Sequence, residues 1–201
     1  MFIAATASAR RHKILRNLGV DFEVFATNCE EVHDDADAIG TVAANAAAKH
    51  REAAARFPGA WILAADTVVE FEGRCIGKPE NLDDARRMLA SFSGKRQTVF
   101  TAVAMSVGGD AAHPAAAALR IAASSVMFKR YDVATVEKYL AEADVLDRAG
   151  SYDIDTMGDV VVAGWTGSFT NIMGLPEEEV GDWLKACGYF NAENPGKNNK
   201  K

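Results

Sequence analysis

The stretch that most constrains the fold runs from Ala60 to Pro79, with the sequence AWILAADTVVEFEGRCIGKP. Its first part, Trp61 to Ala65, is almost wholly apolar, which predicts a short strand that is buried on both faces. We expect this strand to end at a carboxylate, Asp66. Because burial of an unpaired carboxylate is energetically costly, Asp66 should lie at a cleft where a metal ion, a cationic side chain or water meets it.

The second half of this stretch brings a cation close to the acid. A hairpin-like turn is predicted at Glu72-Gly73, and the segment Gly77-Lys78-Pro79 follows it. This composition favours a site that holds metal and phosphate. It is not a Walker phosphate loop, because three residues separate Gly73 from Gly77 where that motif needs four, and Pro79 replaces its magnesium-binding hydroxyl.

The N-terminus contains a second candidate anion site. A buried strand is predicted at Phe2 to Ala5, and a helix follows the hydroxyl-rich turn that contains Ser8. Backbone N–H groups at the start of a helix attract anions, and Ser8, Arg10 and Arg11 would add donors and positive charge. The alternative is that Ser8 only caps the helix while both arginines are solvated, which is the commoner case for an isolated motif of this kind.

An acid-rich segment and an alanine-rich helix lie between these two sites. The segment 29–37 is predicted to be a solvated loop, with either Glu30 or Glu31 turned inward. The helix is predicted from Ile39 to Phe57 and contains Lys49. Since most helical lysines are solvated, the residue pattern alone assigns Lys49 no function.

The rest of the chain is predicted to alternate between helices and strands. The expected elements are a helix capped by Asn81, a long hairpin of strands at 97–107 and 119–128 with its tip at His113-Pro114, a helix capped by Asp132, a strand at 160–165, and a last helix that Pro176 begins. No interdomain linker is recognisable, so residues 1–190 are predicted to form one domain. Residues 191–201 have little to bury and are predicted to be a disordered tail.

Composition narrows the classes of function. The net charge of −6 and the pI near 5.3 disfavour a general nucleic-acid binder. No segment approaches the roughly 18 apolar residues of a membrane span, so neither nucleic acid nor a membrane is an expected partner. The three cysteines are odd in number and widely spaced, which predicts reduced thiols and a cytoplasmic location.

Four separated segments, taken together, resemble the Maf (septum-formation-inhibitor-like) family of nucleoside triphosphate pyrophosphatases. They are the opening Ile3 to Arg11, the core Ala65 to Val69 with Ile76 to Pro79, the pair Ser93-Gly94 with Val99 to Thr101, and the closing Ala149 to Tyr152 with Gly174 to Pro176. These are similar to the family's LASxSPRR, ADTVV…LGKP, SG…VYT and AGxY…GLP motifs. The ordered set covers nearly the whole chain and is far more specific than any one motif.

The resemblance implies a two-lobed, Maf/inosine-triphosphatase-like α/β fold around a curved mixed sheet, with the nucleotide in the cleft between the lobes. It also implies which side chains contact the triphosphate: Ser8, Arg10, Arg11, Lys49 and Lys78. Glu31 and Asp66 would hold a divalent cation, Mg²⁺ or Mn²⁺, and activate water, while Thr67 would lie near the base. The implied catalytic residues are thus Asp66, Glu31 and Lys78, and a homodimer is implied as well.

The implied reaction is attack of water at the α-phosphorus of a nucleoside triphosphate, with release of pyrophosphate and a monophosphate. One departure concerns the base. Where the family pattern Tyr-x-Ile-Gln has glutamine, this chain has Asp155, and an ionised carboxylate only accepts hydrogen bonds. If Asp155 contacts the base, we expect it to disfavour the O4 atom of uracil or thymine. The Thr67 form of the core motif points instead to pyrimidine substrates.

Two other functions stay open at this point. One is a catalytically weak nucleotide-binding regulator of cell division or septum formation, which the family name suggests. The other is a purine-preferring, inosine-triphosphate-type pyrophosphatase. The presence of both Asp66 and Glu31 favours an enzyme over a regulator, because a pure binder needs cations more than it needs a metal-holding carboxylate pair.

Overall fold

The structure is a computed structural model that describes residues 1–108, 117–146 and 148–190. The predicted hairpin tip at His113-Pro114 and the predicted disordered tail at 191–201 lie outside the described residues.

One mixed sheet of seven strands forms the centre of the fold. The strands are β1 (Phe2–Ala5), β2 (Glu23–Val24), β3 (Trp61–Phe71), β4 (Arg74–Ile76), β5 (Arg96–Ser106), β6 (Ala117–Phe128) and β7 (Val162–Thr166). Their order is β2-β1-β3-β5-β6-β7, and β4 pairs with β3. Strand β1 is parallel to β2 and β3, whereas every other pairing is antiparallel. The predicted mixed sheet is therefore confirmed.

The helices cover the two faces of this sheet unequally. They are α1 (Ala9–Asn17), α2 (Ala38–Arg56), α3 (Leu82–Phe92), α4 (Val133–Glu142), α5 (Gly158–Val161), α6 (Phe169–Ile172) and α7 (Glu177–Ala186). Successive side chains of a strand point to opposite faces. On β3, Ile62 and Ala64 lie in one cluster with Ala53 of α2, while Leu63 and Ala65 lie in the larger cluster that includes buried residues of α1, α3, α4 and α7.

Strand β3 is longer than the sequence predicts, and Asp66 lies in its middle rather than at its end. The reason is pairing with β5, which runs without interruption from Ile62 opposite Ser106 to Glu70 opposite Thr98. The backbone hydrogen bonds of the sheet therefore continue past the carboxylate. A charge in the middle of a strand is tolerated because it has a cationic partner, described below.

The predicted turn at Glu72-Gly73 joins β3 to β4. Both residues have positive φ angles, 52° and 77°, which is the conformation of a type I′ hairpin turn. The register places Val69 opposite Ile76, so the chain that follows β4 runs back toward the middle of β3. This hairpin carries Lys78 back toward Asp66.

All five predicted helices are present, and Asn81 and Asp132 cap α3 and α4 as predicted. The side chains of Ser8, Asn81 and Asp132 each accept a hydrogen bond from a backbone N–H in the first turn of α1, α3 and α4. The short helices α5 and α6 were not predicted. Each has only four residues, which is too short to show an apolar period, and α5 includes the first two residues of the strand predicted at 160–165, so β7 begins at Val162.

Candidate functional site

Asp66 and Glu31 are joined by the ammonium group of Lys49. The Nζ atom of Lys49 lies 2.8 Å from Oδ1 of Asp66 and 2.8 Å from Oε1 of Glu31. The side chains of Lys49 and Asp66 are only 10% and 12% exposed, whereas that of Glu31 is 56% exposed. We call these three residues the carboxylate–lysine cluster. It places a buried ion pair at the inner end and a solvent-accessible acid at the outer end.

Asn45 fixes the orientation of this cluster, and the sequence did not reveal it. Its Nδ2 donates to Oδ2 of Asp66 at 3.1 Å and to the carbonyl of Val32 at 3.0 Å, while its Oδ1 accepts from the N–H of Val32 at 2.8 Å. Asn45 therefore holds Asp66 and the loop next to Glu31 in one arrangement. Its position four residues before Lys49, one helical turn away on the same face, was the available signal.

Arg11 makes four hydrogen bonds inside the protein. Its Nε donates to the carbonyl of Gly174 at 2.8 Å, and its Nη1 donates to the carbonyl of Ala65 at 2.8 Å and to Oγ1 of Thr6 at 3.2 Å. Its Nη2 donates to Oγ1 of Thr67 at 2.9 Å. A guanidinium has five N–H groups, so most of its donors are used before any ligand arrives. We call Arg11 and these four partners the Arg11 network.

The Arg11 network lies directly beside the carboxylate–lysine cluster. Arg11 contacts the backbone of Ala65, the residue before Asp66, and interacts favourably with the charges of Asp66 and Glu31. Burial lowers the pKa of Arg11, and the charge of Asp66 opposes that shift. Gly174 meets the network with a φ of 104°, and a Cβ atom there would lie 3.4 Å from Nε of Arg11, so this close approach favours glycine.

Thr67 connects this network to strand β5 and helix α6 on the same face of the sheet. Its Oγ1 lies 3.0 Å from Oγ1 of Thr101, which in turn donates to the carbonyl of Asn171 at 3.2 Å. The buried Nδ2 of Asn171 donates to the carbonyl of Val99 and to Oγ of Ser124. Thr67 is thus held by neighbours on three different segments, which fixes its position in the site.

Ser8 and Arg10 lie at the start of α1, next to Arg11. Oγ of Ser8 accepts from the N–H of Arg11 at 3.5 Å, so Ser8 does cap the helix, which was the alternative role considered for it. The charge of Arg10 opposes the rise in pKa that burial causes at Tyr152 and that the neighbouring acid causes at Asp155, so the segment 148–155 lies near the start of α1.

Lys78 reaches the same region from the β3–β4 hairpin. It is exposed, and the carbonyl of the preceding Gly77 accepts from the N–H of Gly150 at 3.1 Å. The structure thus gives direct contacts among Asp66, Lys49 and Glu31. It places the segments of Arg10, Lys78 and Asp155 side by side through charge and backbone contacts.

A divalent cation fits the donor chemistry of this cluster only together with a substrate. The described ranges 1–108, 117–146 and 148–190 contain no group of three acidic, histidine or cysteine side chains arranged to hold a metal. Mg²⁺, however, commonly binds through one or two carboxylates, several waters and the phosphates of a substrate. Asp66 and Glu31 could supply the two carboxylates of such a site. In this structure the ammonium group of Lys49 lies between them.

The mixed sheet with its helices defines a class of α/β fold that is also seen among solved structures. The Staphylococcus aureus Ham1 protein is similar to this chain with a TM-score of 0.55 and 12% identity, over 92% of this chain and 98% of that one. That likeness concerns the fold alone, and it agrees with the predicted Maf/inosine-triphosphatase-like α/β fold.

The sequence identifies the family within this class. The family described as Maf-like protein matches residues 1–187. Proteins named dTTP/UTP pyrophosphatase are 36% identical to it in Syntrophus aciditrophicus, over 92% of this chain and 89% of the relative, and 36% identical in Moorella thermoacetica, over 92% and 94%. One from Dictyoglomus thermophilum is 35% identical over 93% and 96%. The chain belongs to the Maf family, and the predicted resemblance is confirmed.

The helices give one further result. Among the residues that the structure describes, no helix is both long enough and apolar enough to cross a membrane.

Proposed function

We propose that this protein is a nucleoside triphosphate pyrophosphatase that hydrolyses a pyrimidine nucleotide to its monophosphate and pyrophosphate, with the help of a divalent cation. The observation that carries this proposal is the carboxylate–lysine cluster, in which a buried acid is oriented by Lys49 and Asn45 at the centre of the site. The names of the relatives, dTTP/UTP pyrophosphatases, support the substrate class.

The cationic side chains bind the triphosphate in this proposal. Arg10, Lys49 and Lys78 come from α1, α2 and the segment after β4, so they approach one ligand from different elements. Lys49 already contacts two carboxylate oxygens and can exchange one of them for a phosphate oxygen. Ser8 and Arg11 contribute backbone and side-chain donors at the start of α1. Arg11 also links α1 to Gly174 and Thr67 through hydrogen bonds.

Asp66 is the group that accepts the proton of the attacking water. Its two oxygens are held by Lys49 and Asn45, so its remaining lone pairs have fixed directions. As the oxygen of the water bonds to the α-phosphorus, the bond from that phosphorus to the bridging oxygen breaks. The proton passes to Asp66, and the electron pair leaves with pyrophosphate, whose charge the lysines stabilise.

Asp66 and Glu31 would hold the divalent cation. When bound, a cation of this kind neutralises phosphate oxygens and lowers the pKa of water. Glu31 is suited to this role because its exposed side chain can turn from Lys49 toward an arriving ion without leaving a buried charge unpaired.

A regulator that only binds nucleotide does not need these features. Binding requires the cations, but it does not require a buried carboxylate held by both an ammonium and an amide. We therefore favour the enzyme.

The test is pyrophosphate release from a panel of pyrimidine and purine triphosphates in the presence of Mg²⁺ or Mn²⁺. We expect turnover of pyrimidine nucleotides, and a loss of about 100- to 10,000-fold in kcat for Asp66→Asn, because the amide cannot accept the proton. Asp182→Asn, at an exposed position on α7, is the matched control and should keep full activity. No turnover of any nucleotide, or full activity in Asp66→Asn, would contradict the proposal.

A further inference from the structure

The turn between Arg148 and Asp153 has a strained backbone. Gly150 has a φ of 74° and Ser151 a φ of 60°, so two consecutive residues lie in the left-handed region. Ser151 has a side chain, which that region disfavours, and it is fully buried. Such a conformation persists only where the surrounding contacts impose it, and it is commonest at functional sites. The turn is therefore a candidate for a role in the function.

A buried ion pair joins the two ends of this turn. Nη2 of Arg148 donates to Oδ2 of Asp153 at 2.9 Å, and Nε donates to the same oxygen at 3.3 Å. The two side chains are only 20% and 6% exposed. Because a charge-assisted pair of low exposure is far harder to break than a solvated one, it holds the two ends of the turn together.

Two helices hold the same turn from outside. Oη of Tyr139, on α4, accepts from the N–H of Asp153 at 2.8 Å and donates to its carbonyl at 3.4 Å. Oγ of Ser151 donates to Sδ of Met88, on α3, at 3.2 Å. Tyr139 is fully buried, so its bonds are shielded from water. The position of the turn is thus set by its own ion pair together with α3 and α4.

The turn in turn holds the segment that follows β4. The N–H of Gly150 donates to the carbonyl of Gly77 at 3.1 Å. The residue after Gly77 is Lys78, whose side chain is exposed. Because the backbone of the turn sets the direction of the Gly150 N–H, it also sets where Gly77 is held. The turn therefore fixes the backbone from which the Lys78 side chain extends.

Lys78 follows β4 at one end of an opening in the sheet. Strand β1 pairs with β3 up to Ala64, and β4 pairs with the same edge of β3 from Val69, since β5 occupies the other edge. Of the strands in the described residues, none pairs with this edge between those two positions. Asp66 lies within the opening, and α1 begins shortly after β1 at its other end. A phosphate in the opening can thus be approached by Lys78 from the β4 end.

We propose that the turn 148–153 positions Lys78 against the triphosphate, and that Arg148 and Asp153 are positioning residues of this site. The inference rests on the proposed function, in which Lys78 binds phosphate oxygens. A lysine ammonium is carried on a flexible stem, so its reach is defined only if the backbone below it is fixed. Misplacement of a binding group by about 1 Å can lower the rate about 100-fold, so an ion pair that does not touch the substrate can still control turnover.

The test is a double-mutant cycle between Asp153→Asn and Lys78→Gln, with kcat/KM for UTP as the measured quantity. Asp153→Asn keeps the size of the side chain and removes the charge that holds Arg148. In the unmodified protein it should lower kcat/KM by about 10- to 100-fold. In Lys78→Gln it should lower kcat/KM by less than about 2-fold, because the side chain that the turn positions is absent.

The matched control is Glu137→Gln, which breaks an exposed ion pair between α4 and Arg86. It should change kcat/KM by less than about 2-fold whether or not Lys78 is present. Arg148→Lys keeps the charge of the buried pair and should retain more activity than Arg148→Met. It also replaces Asp153→Asn in the cycle should that variant not fold. A purely structural role of the pair predicts the same fold-loss with and without Lys78, and that result would overturn the inference.

A second measurement needs no substrate. Hydrogen exchange of the Gly150 amide reports its bond to Gly77, and Asp153→Asn should make it at least about 10-fold faster while the amides of β5 keep their rates. Unchanged exchange at Gly150 would contradict the inference even in an active enzyme. If no triphosphate is hydrolysed, the proposed function fails. The same cycle, measured as the Kd of a non-hydrolysable UTP analogue, then still decides whether the turn positions Lys78.

Discussion

Asp66 and Thr67 are neighbours on β3, yet their side chains lie on opposite faces of the sheet and in opposite kinds of environment. On the α2 face, the carboxylate–lysine cluster consists of charges, and its outer member Glu31 is more than half exposed. On the α1 face, Thr67 is part of the Arg11 network, whose acceptors include two backbone carbonyls and whose geometry is complete without a ligand.

This difference shows that one strand can supply both a set of contacts that stays fixed and a set of contacts that a ligand can replace. The Arg11 network uses neutral acceptors, which a phosphate or a cation does not replace as it would a charged partner, so the network should persist when the nucleotide binds. The contacts of the carboxylate–lysine cluster are ion pairs that phosphate oxygens and a cation can replace. We therefore expect changes on the Thr67 side to act mainly on stability, and changes on the Asp66 side to act mainly on metal binding and turnover.

The largest effect on stability is expected from Arg11→Met. The change removes four hydrogen bonds from a charged donor and leaves the carbonyls of Ala65 and Gly174 without their partner. The free energy of unfolding, measured by urea denaturation, should fall by about 4 kcal/mol. Arg16→Met on the exposed side of the same helix is the matched control and should cost less than about 1 kcal/mol. Equal losses in the two variants would mean that the network is not a structural unit.

An intermediate effect is expected from Lys49→Gln. Asp66 loses its buried ammonium partner, so the free energy of unfolding should fall by about 3 kcal/mol. Asp66 and Glu31 then have no cation between them, and Mn²⁺ should raise the melting temperature of this variant more than that of the unmodified protein. The control is Lys185→Gln, at an exposed ion pair on α7. Equal stabilisation by Mn²⁺ in both proteins would argue against a metal site at these two acids.

The smallest effect on stability is expected from Glu31→Gln. Its ion pair is largely exposed, so the free energy of unfolding should change by less than about 0.5 kcal/mol. The concentration of Mn²⁺ required for half-maximal turnover should nevertheless rise, because a metal-holding carboxylate is lost. Glu30→Gln at the adjacent position is the matched control. A larger shift in the Mn²⁺ requirement for Glu30→Gln would show that the wrong one of the two acids has been assigned.

The sequence predicted local features of the fold well, because caps and turns depend on a few adjacent residues. The caps at Asn81 and Asp132 and the turn at Glu72-Gly73 are examples. The length of β3 could not be predicted in the same way. A charge usually ends a buried strand, and only pairing with β5 and the contact with Lys49 allow this one to continue.

For the site, the motifs identified most of the charged residues but not how they are connected. The direct contact of Lys49 with both Asp66 and Glu31 joins α2, β3 and a loop that are distant in the sequence. Asn45 was missed because its one signal was its position a helical turn before Lys49, to which the residue pattern alone assigned no function. Arg11 was predicted to contact phosphate, and that remains a prediction, but its bonds to Ala65 and Gly174 depend on tertiary structure alone.

The bond from Arg11 to Gly174 spans 163 positions of the chain. Loop closure over such a distance is possible only after nearly the whole polypeptide has been synthesised and has collapsed. A chain that stopped before Gly174 would contain all seven strands and still lack the acceptor for Nε of Arg11. The arrangement of Arg11 and Thr67 is therefore completed by the C-terminal part of the chain, and we expect a product that ends before Gly174 to lack it.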